Sequence, residues 1–220
     1  MRSHVLAAIS DWLNPQELLN KFGTIGLFLI IFAESGLLIG FFLPGDSLLF
    51  TAGLLSAGGK LAPLPVLLVG CFLAAFLGDQ VGYMFGKKVG PSIFNRPDSK
   101  LFKVEHIEKA QAYFDKHGSK TIILARFVPV VRTFAPIVAG VGKMHYRTFV
   151  AFNVIGAFIW AVGVTTLGYL LGDRIGPEKI DKYLLPIIAV IIVLSLIPVA
   201  IEYFRHKREQ ARTATADEAA

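Results

Sequence analysis

Four ionisable side chains stand inside otherwise apolar stretches of the chain: Glu34, Asp46, Arg126 and Arg132. A charge at the centre of a membrane helix costs about 2.5–3.5 kcal/mol to insert, so none of them belongs alone in lipid. Two acids lie in or beside one short segment and two arginines in another, so the four can neutralise each other if those segments meet. Arginine suits a phosphate, because it stays charged at membrane depth and offers a fork of donors. A carboxylate held away from water can load and release a proton. The residue types therefore point to a phosphate group handled together with a proton. Arg126 and Arg132 would bind the phosphate, and Glu34 and Asp46 would gate it or carry the proton. Fixed structural ion pairs are the other use these side chains allow.

Asp79 is a fifth embedded charge, within Gly78-Asp79-Gln80-Val81-Gly82-Tyr83. It is either an accessory to the site or a group reaching interfacial water or Lys87. Gly78, Gly82 and Gly86 form a small-residue stripe that permits close helix packing. Asn153, Gly156 and Trp160 share one face of a later span, where Asn153 is expected to hydrogen-bond a neighbouring helix, with a place at the site as the alternative. Tyr83 and Tyr169 end spans where aromatic belts are expected. His106, His117 and His145 fall in loops without metal-ligand spacing, so neither metal nor cofactor is expected. Cys71, the single cysteine, sits among apolar residues and reads as neither a disulfide nor a reactive thiol. There is no H-E-x-x-H, P-loop or dinucleotide glycine pattern, and the stretch from Lys120 to Arg126 is too short for an acid-phosphatase motif. The expectation is a protein without catalytic residues, not an enzyme.

The segments that must position these groups are set by where charge is missing. The chain has 220 residues, 54% hydrophobic and 17% charged, against about 25% charged in ordinary soluble domains. Only Glu34, Asp46, Lys60 and Asp79 are charged between Phe22 and Phe85, and none between Thr148 and Leu171 or between Tyr183 and Ile201. Roughly 20 helical residues cross a bilayer core, so the chain reads as polytopic in a membrane and a soluble domain is excluded. The net charge of +6 sits in loops and tail, which gives nucleic acid no surface. Val5, Leu6, Ile9, Trp12 and Leu13 recur at helical spacing, so residues 1–21 are expected to form an interfacial helix rather than a cleavable signal.

Apolar segments run over 22–42, 44–58, 61–85, 121–141, 146–171 and 183–204, forming one membrane domain over 22–204. Segment 44–58 is too short to span, and 121–141 carries Arg126, Arg132, Pro129 and Pro136, so both read as re-entrant hairpins. The halves resemble each other. Gly82 to Pro91 parallels Gly168 to Pro177, Phe42-Leu43-Pro44 parallels Phe127-Val128-Pro129, and Ala52-Gly53 parallels Ala139-Gly140, at offsets of 85 to 87. Eight Lys/Arg between Gly86 and Lys120, and four between Arg205 and Arg212, place the loop 86–120 and the tail 205–220 in the cytoplasm, with the tail disordered at its end. Threading the segments from there sends the hairpins in from opposite faces. The expected fold is all-α, with two inverted repeats of a hairpin followed by a transmembrane helix, plus flanking helices. That is a transporter architecture.

Phe42-Leu43-Pro44-Gly45-Asp46-Ser47-Leu48-Leu49, the run from Ala125 to Pro136, Ala139-Gly140 and Asn153…Gly156-Ala157…Trp160 resemble the signatures of the DedA family of bacterial inner-membrane proteins. The resemblance covers roughly residues 15–210, with no departure at Glu34, Asp46, Arg126 or Arg132. It implies VTT-superfamily paired hairpins and transport of a lipid carrier, with undecaprenyl phosphate translocation in some members and dependence on the proton motive force in others. The implied location is the inner membrane, multi-pass, with both termini cytoplasmic. The implied partners are membrane lipids and protons, and a homo-oligomer is compatible with it. A proton or small-ion antiporter, or a non-transporting envelope factor, are the competing readings.

Overall fold

Proline and glycine mark where the helices begin and bend. The computed structural model describes residues 15–37, 45–94, 118, 120–126 and 129–176, all helix or short turn with no strand among them. Helix α1, Pro15–Gly36, starts on a proline and breaks at Gly23, whose φ of +62° is left-handed and suits glycine. Helix α2 is Gly45–Ala57, and α3 is Leu64–Phe94, entered directly after Pro63. Helix α4 is the short Thr121–Ala125, and α5 is Pro129–Val141, again opened by proline. Helix α6, Tyr146–Ala157, runs through a π-helical turn at Phe158–Val162 into α7, Gly163–Ile175.

Two stretches, Leu64–Val89 and Tyr146–Ile175, are long and apolar enough to cross a membrane. Their outward faces are greasy: Val69, Leu73 and Leu77 on α3, Phe158 in the π turn, and Leu167 and Leu170 on α7 are all exposed. The interior holds Leu27, Ile31, Leu48, Leu54, Leu67 and Trp160, but also Glu34, Asp79, Arg126, Arg132 and Asn153. An apolar outside around a charged inside inverts the soluble arrangement and suits lipid as the surrounding solvent.

The short helices are packed by exchange between the two similar halves. Helix α2 lies along α7, and α5 lies along α3. A side-chain carbon at Gly53 would meet the Thr165 carbonyl and the Tyr169 amide, and one at Gly140 would meet the Tyr83 carbonyl and the Lys87 amide. Gly53 and Gly140 are corresponding positions, as are Tyr169 and Tyr83, so the two contacts pair equivalent elements, the second one helical turn further along its partner. The expected glycine stripe is divided between two neighbours: Gly78 touches α1 at Phe32 and Gly36, while Gly82 and Gly86 face Pro136 and Ile137 of α5.

Several expectations need correcting. Helix α3 does not stop near Phe85 but continues to Phe94, into the stretch read as loop. Exposed Lys87 and Lys88 mark a change of surroundings, and an α-helix needs no apolar side chains to continue. Pro136 lies inside α5 and does not end it; the interruption falls earlier, around Arg126. Tyr83 is no belt residue: it is buried, stacked on Phe149 at 4.5 Å, and donates to the Met144 carbonyl at 2.5 Å. Most of the expected 1–21 helix, most of the 86–120 loop with His106 and His117, the 183–204 span and the tail lie outside the described residues.

Candidate functional site

Each charged side chain is delivered by the end or the interruption of a helix, or from within a long one. Glu34 sits in the last turn of α1 and Asp46 in the first turn of α2. Arg126 follows the last residue of α4, and Arg132 lies in the first turn of α5. Asp79 comes from the middle of α3, Asn153 from α6 and Trp160 from the π turn. Seven elements thus converge on one charged cluster.

Arg132 bridges the two acids expected to join it. Nη2 donates to Glu34 and Nη1 to Asp46 at 2.9 Å, with the Arg126 carbonyl at 3.5 Å from Nη1. Arg126 instead pairs with Asp79 through Nη2, and the same nitrogen donates to Asn153 Oδ1 at 2.6 Å. The Asn153 amide in turn donates to the Phe76 carbonyl at 3.3 Å, so it ties α6 to α3 as its sequence position suggested. Asp79 therefore belongs to the cluster rather than reaching interfacial water or Lys87, because Arg126 meets it in the interior.

Trp160 joins the charges from both ends of its indole. Its Nε1 donates to Asp46 at 2.6 Å, and its ring lies 4.3 Å from the Arg132 guanidinium carbon and 5.9 Å from that of Arg126. A guanidinium over an indole face is an attractive pair, stronger where water is excluded. The π turn is what presents this ring, and such turns recur at functional sites. Spacing alone placed Trp160 on a face with Asn153 and Gly156 but gave it no role. A lone aromatic in a span carries no stronger signal than packing, and nothing in the residue types announces a π turn.

Two glycines make room for the charges. A side-chain carbon at Gly45 would overlap the Glu34 carboxyl group, so the first residue of α2 has to be bare for Glu34 to reach the helix N-terminus. A carboxylate there also faces the positive end of the helix dipole. Gly156 lies beside Arg126, where a side-chain carbon would be 3.0 Å from Cδ and 3.1 Å from Nε.

The cluster holds three carboxylates (Glu34, Asp46, Asp79) against two guanidiniums (Arg126, Arg132), one formal negative charge in excess. Removing one partner from a buried pair typically costs about 3–5 kcal/mol, so the set is interdependent. Asp46 is its wettest member, with its side chain 25% exposed against 1–3% for the others. Not every valence is used. Arg126 Nε and Nη1, Arg132 Nε and Asp79 Oδ1 are buried without a hydrogen-bond partner. Such a site can accept a polar guest, because burying unsatisfied donors without one is costly. No group of histidine, cysteine and carboxylates suited to a metal ion occurs among the described residues.

Residues 43–170 match the VTT domain. The chain is 48% identical to Protein DedA of Escherichia coli (strain K12) over 189 residues, 86% of this chain and 85% of that protein. It is 39% identical to the uncharacterized membrane protein ML0287 of Mycobacterium leprae over 206 residues, 94% and 90% of the two chains. It is 34% identical to the inner membrane protein YqjA of Escherichia coli (strain K12) over 172 residues, 78% and 77% of the two. No solved structure matches. The match to the VTT domain over more than half of the chain and these relatives show that the chain belongs to the DedA family of VTT-domain membrane proteins.

Proposed function

We propose that this protein is a lipid transporter that carries an anionic phosphate headgroup, such as that of undecaprenyl phosphate or a related phospholipid, across a bacterial inner membrane in step with protons. The observation that carries the reading is the pair of buried guanidiniums, Arg126 and Arg132, neutralised by carboxylates inside an apolar-faced helical shell. The arginines receive the phosphate when their carboxylates are protonated or drawn aside, and Glu34 and Asp46 gate that release or carry the proton. Arginine keeps its charge throughout, so the attraction is switched by the acids. The headgroup crosses along the polar helix ends while its tail stays in lipid. No bond in the lipid is made or broken.

On this reading the two halves are inverted repeats, with re-entrant hairpins at 44–58 and 121–141, in a multi-pass chain whose termini are both cytoplasmic. The corresponding packing of α2 on α7 and α5 on α3 supports it, since two equivalent units exchange their short helices. An ion antiporter is the second reading, favoured by the excess carboxylate. Purified protein in liposomes separates the two. Flipping of a labelled polyprenyl phosphate, faster with an imposed pH gradient, is expected. Ion flux without lipid movement, in protein that is folded, overturns the lipid reading.

A further inference from the structure

The two arginines are used differently. Both terminal nitrogens of Arg132 are occupied, one by Asp46 and one by Glu34, and its face is covered by Trp160. Arg126 commits only Nη2, to Asp79 and Asn153, and leaves Nε and Nη1 without a partner. Asp79 has the complementary surplus: Oδ2 takes the arginine, and Oδ1 is buried without a partner. Both side chains are at least 97% buried, so water does not cheaply repair these valences. The Arg126–Asp79 pair therefore offers two unused donors together with one unused anionic acceptor, whereas Arg132–Glu34 keeps only Arg132 Nε and Glu34 Oε2.

That combination discriminates among phosphates. A fully ionised phosphate satisfies the donors but brings a negative oxygen towards the carboxylate. A phosphodiester does the same, with no proton to offer. A phosphomonoester that retains one proton satisfies both sides: its anionic oxygens accept from Arg126, and its P–OH donates to Asp79 Oδ1. We propose that Asp79 is a specificity-determining residue that makes the site select lipid phosphomonoesters over phosphodiesters. This rests on the lipid-phosphate reading and states the headgroup chemistry within it. Arg126 faces Asp79 directly. Arg132 of α5 lies beyond, already holding Glu34 of α1 and Asp46 of α2, and α6 presents only the neutral Asn153.

The test uses full-length protein in detergent, with Trp12→Phe so that Trp160, against both arginines, is the only tryptophan. Dioctanoyl phosphatidic acid and dioctanoyl phosphatidylmethanol, which differ by one methyl on the phosphate, are titrated against its fluorescence. At pH 6 the monoester is expected to bind at least tenfold more tightly. The preference shrinks as pH rises above the second ionisation of the phosphate, about 6 for a phosphomonoester, because the bound form is the one that keeps the proton. In Asp79→Asn the preference falls to within twofold and no longer declines with pH, while Asp79→Glu retains it. Equal binding of the two lipids by the wild-type site, or a tenfold preference that survives Asp79→Asn, overturns the selectivity and leaves the lipid reading standing. Binding of neither lipid overturns the lipid reading itself. Should Asp79→Asn not fold, the wild-type pH series decides alone: a monoester preference that stays level up to pH 8 overturns the proposal.

Discussion

Arg132 holds carboxylates from two different helices with two different nitrogens, which a single ammonium at the end of a lysine cannot reproduce. Arg132→Lys is therefore expected to lower lipid transport by about tenfold or more, the scale of one lost charge-assisted bond, about 1.4 kcal/mol. Protein abundance should stay near wild type; transport at the wild-type rate in liposomes would assign Arg132 a purely structural role. Glu34→Gln removes the ionisable group but keeps the shape. Transport by that variant is expected to lose its dependence on pH between 5 and 8, and an unchanged profile would move the proton to Asp46 or Asp79. Four of the five charges in the cluster, Glu34, Asp46, Arg126 and Arg132, were assigned to the site because an ion in an apolar run is conspicuous by itself. Asp79 was equally visible, but its partner was not: Arg126 is 47 residues away, and only the crossing of α3 past the end of α4 brings them together. Trp160 was harder still, since its role depends on the π turn that aims it.

At the scale of helices, close approach is set by glycines at corresponding places in the two halves. Gly53→Ala and Gly140→Ala each push a methyl group into a backbone carbonyl of the partner helix. Overpacking of this kind costs about 1–3 kcal/mol, so both variants should melt several degrees below wild type in detergent. Gly163→Ala, with nothing within 4 Å of the added carbon, is the control and should melt within a degree or two of wild type. If all three melt alike, the helices are not held at glycine distance. Helices α1, α3 and α5 begin at or just after Pro15, Pro63 and Pro129. Hydropathy instead sets the segments to begin at 22, 61 and 121, because it follows apolar content and not the proline that opens a helix. The far end of α3 was not legible either, because hydropathy reports what surrounds a helix and not whether its backbone hydrogen bonds continue. Tyr83 was misplaced for a related reason. An aromatic near the end of an apolar run looks interfacial until Phe149 and Met144 arrive from a helix and turn more than 60 residues away.

For the molecule as a whole, the apolar exterior and charged interior were foreshadowed by the uneven spread of charge, and the duplicated pattern by the matching runs ending at Pro91 and Pro177. What no pattern announced is that each half lends its short helix to the other, α2 to α7 and α5 to α3. This exchange bears on how the protein is made. When the ribosome has released only the first half, α2 still lacks the helix it will lie along, and Asp46 lacks its arginine. The early product is thus an unfinished half that must be sheltered until α5 and α7 emerge. Two fragments divided within 98–116 should each be degraded when expressed alone and should accumulate together when co-expressed, as immunoblotting of membranes would show. Stable accumulation of the first fragment alone would mean that it closes without its counterpart. The bond between the halves is then an obligation of synthesis as well as of architecture: the chain reaches a finished state only when its second copy of the motif comes to complete the first.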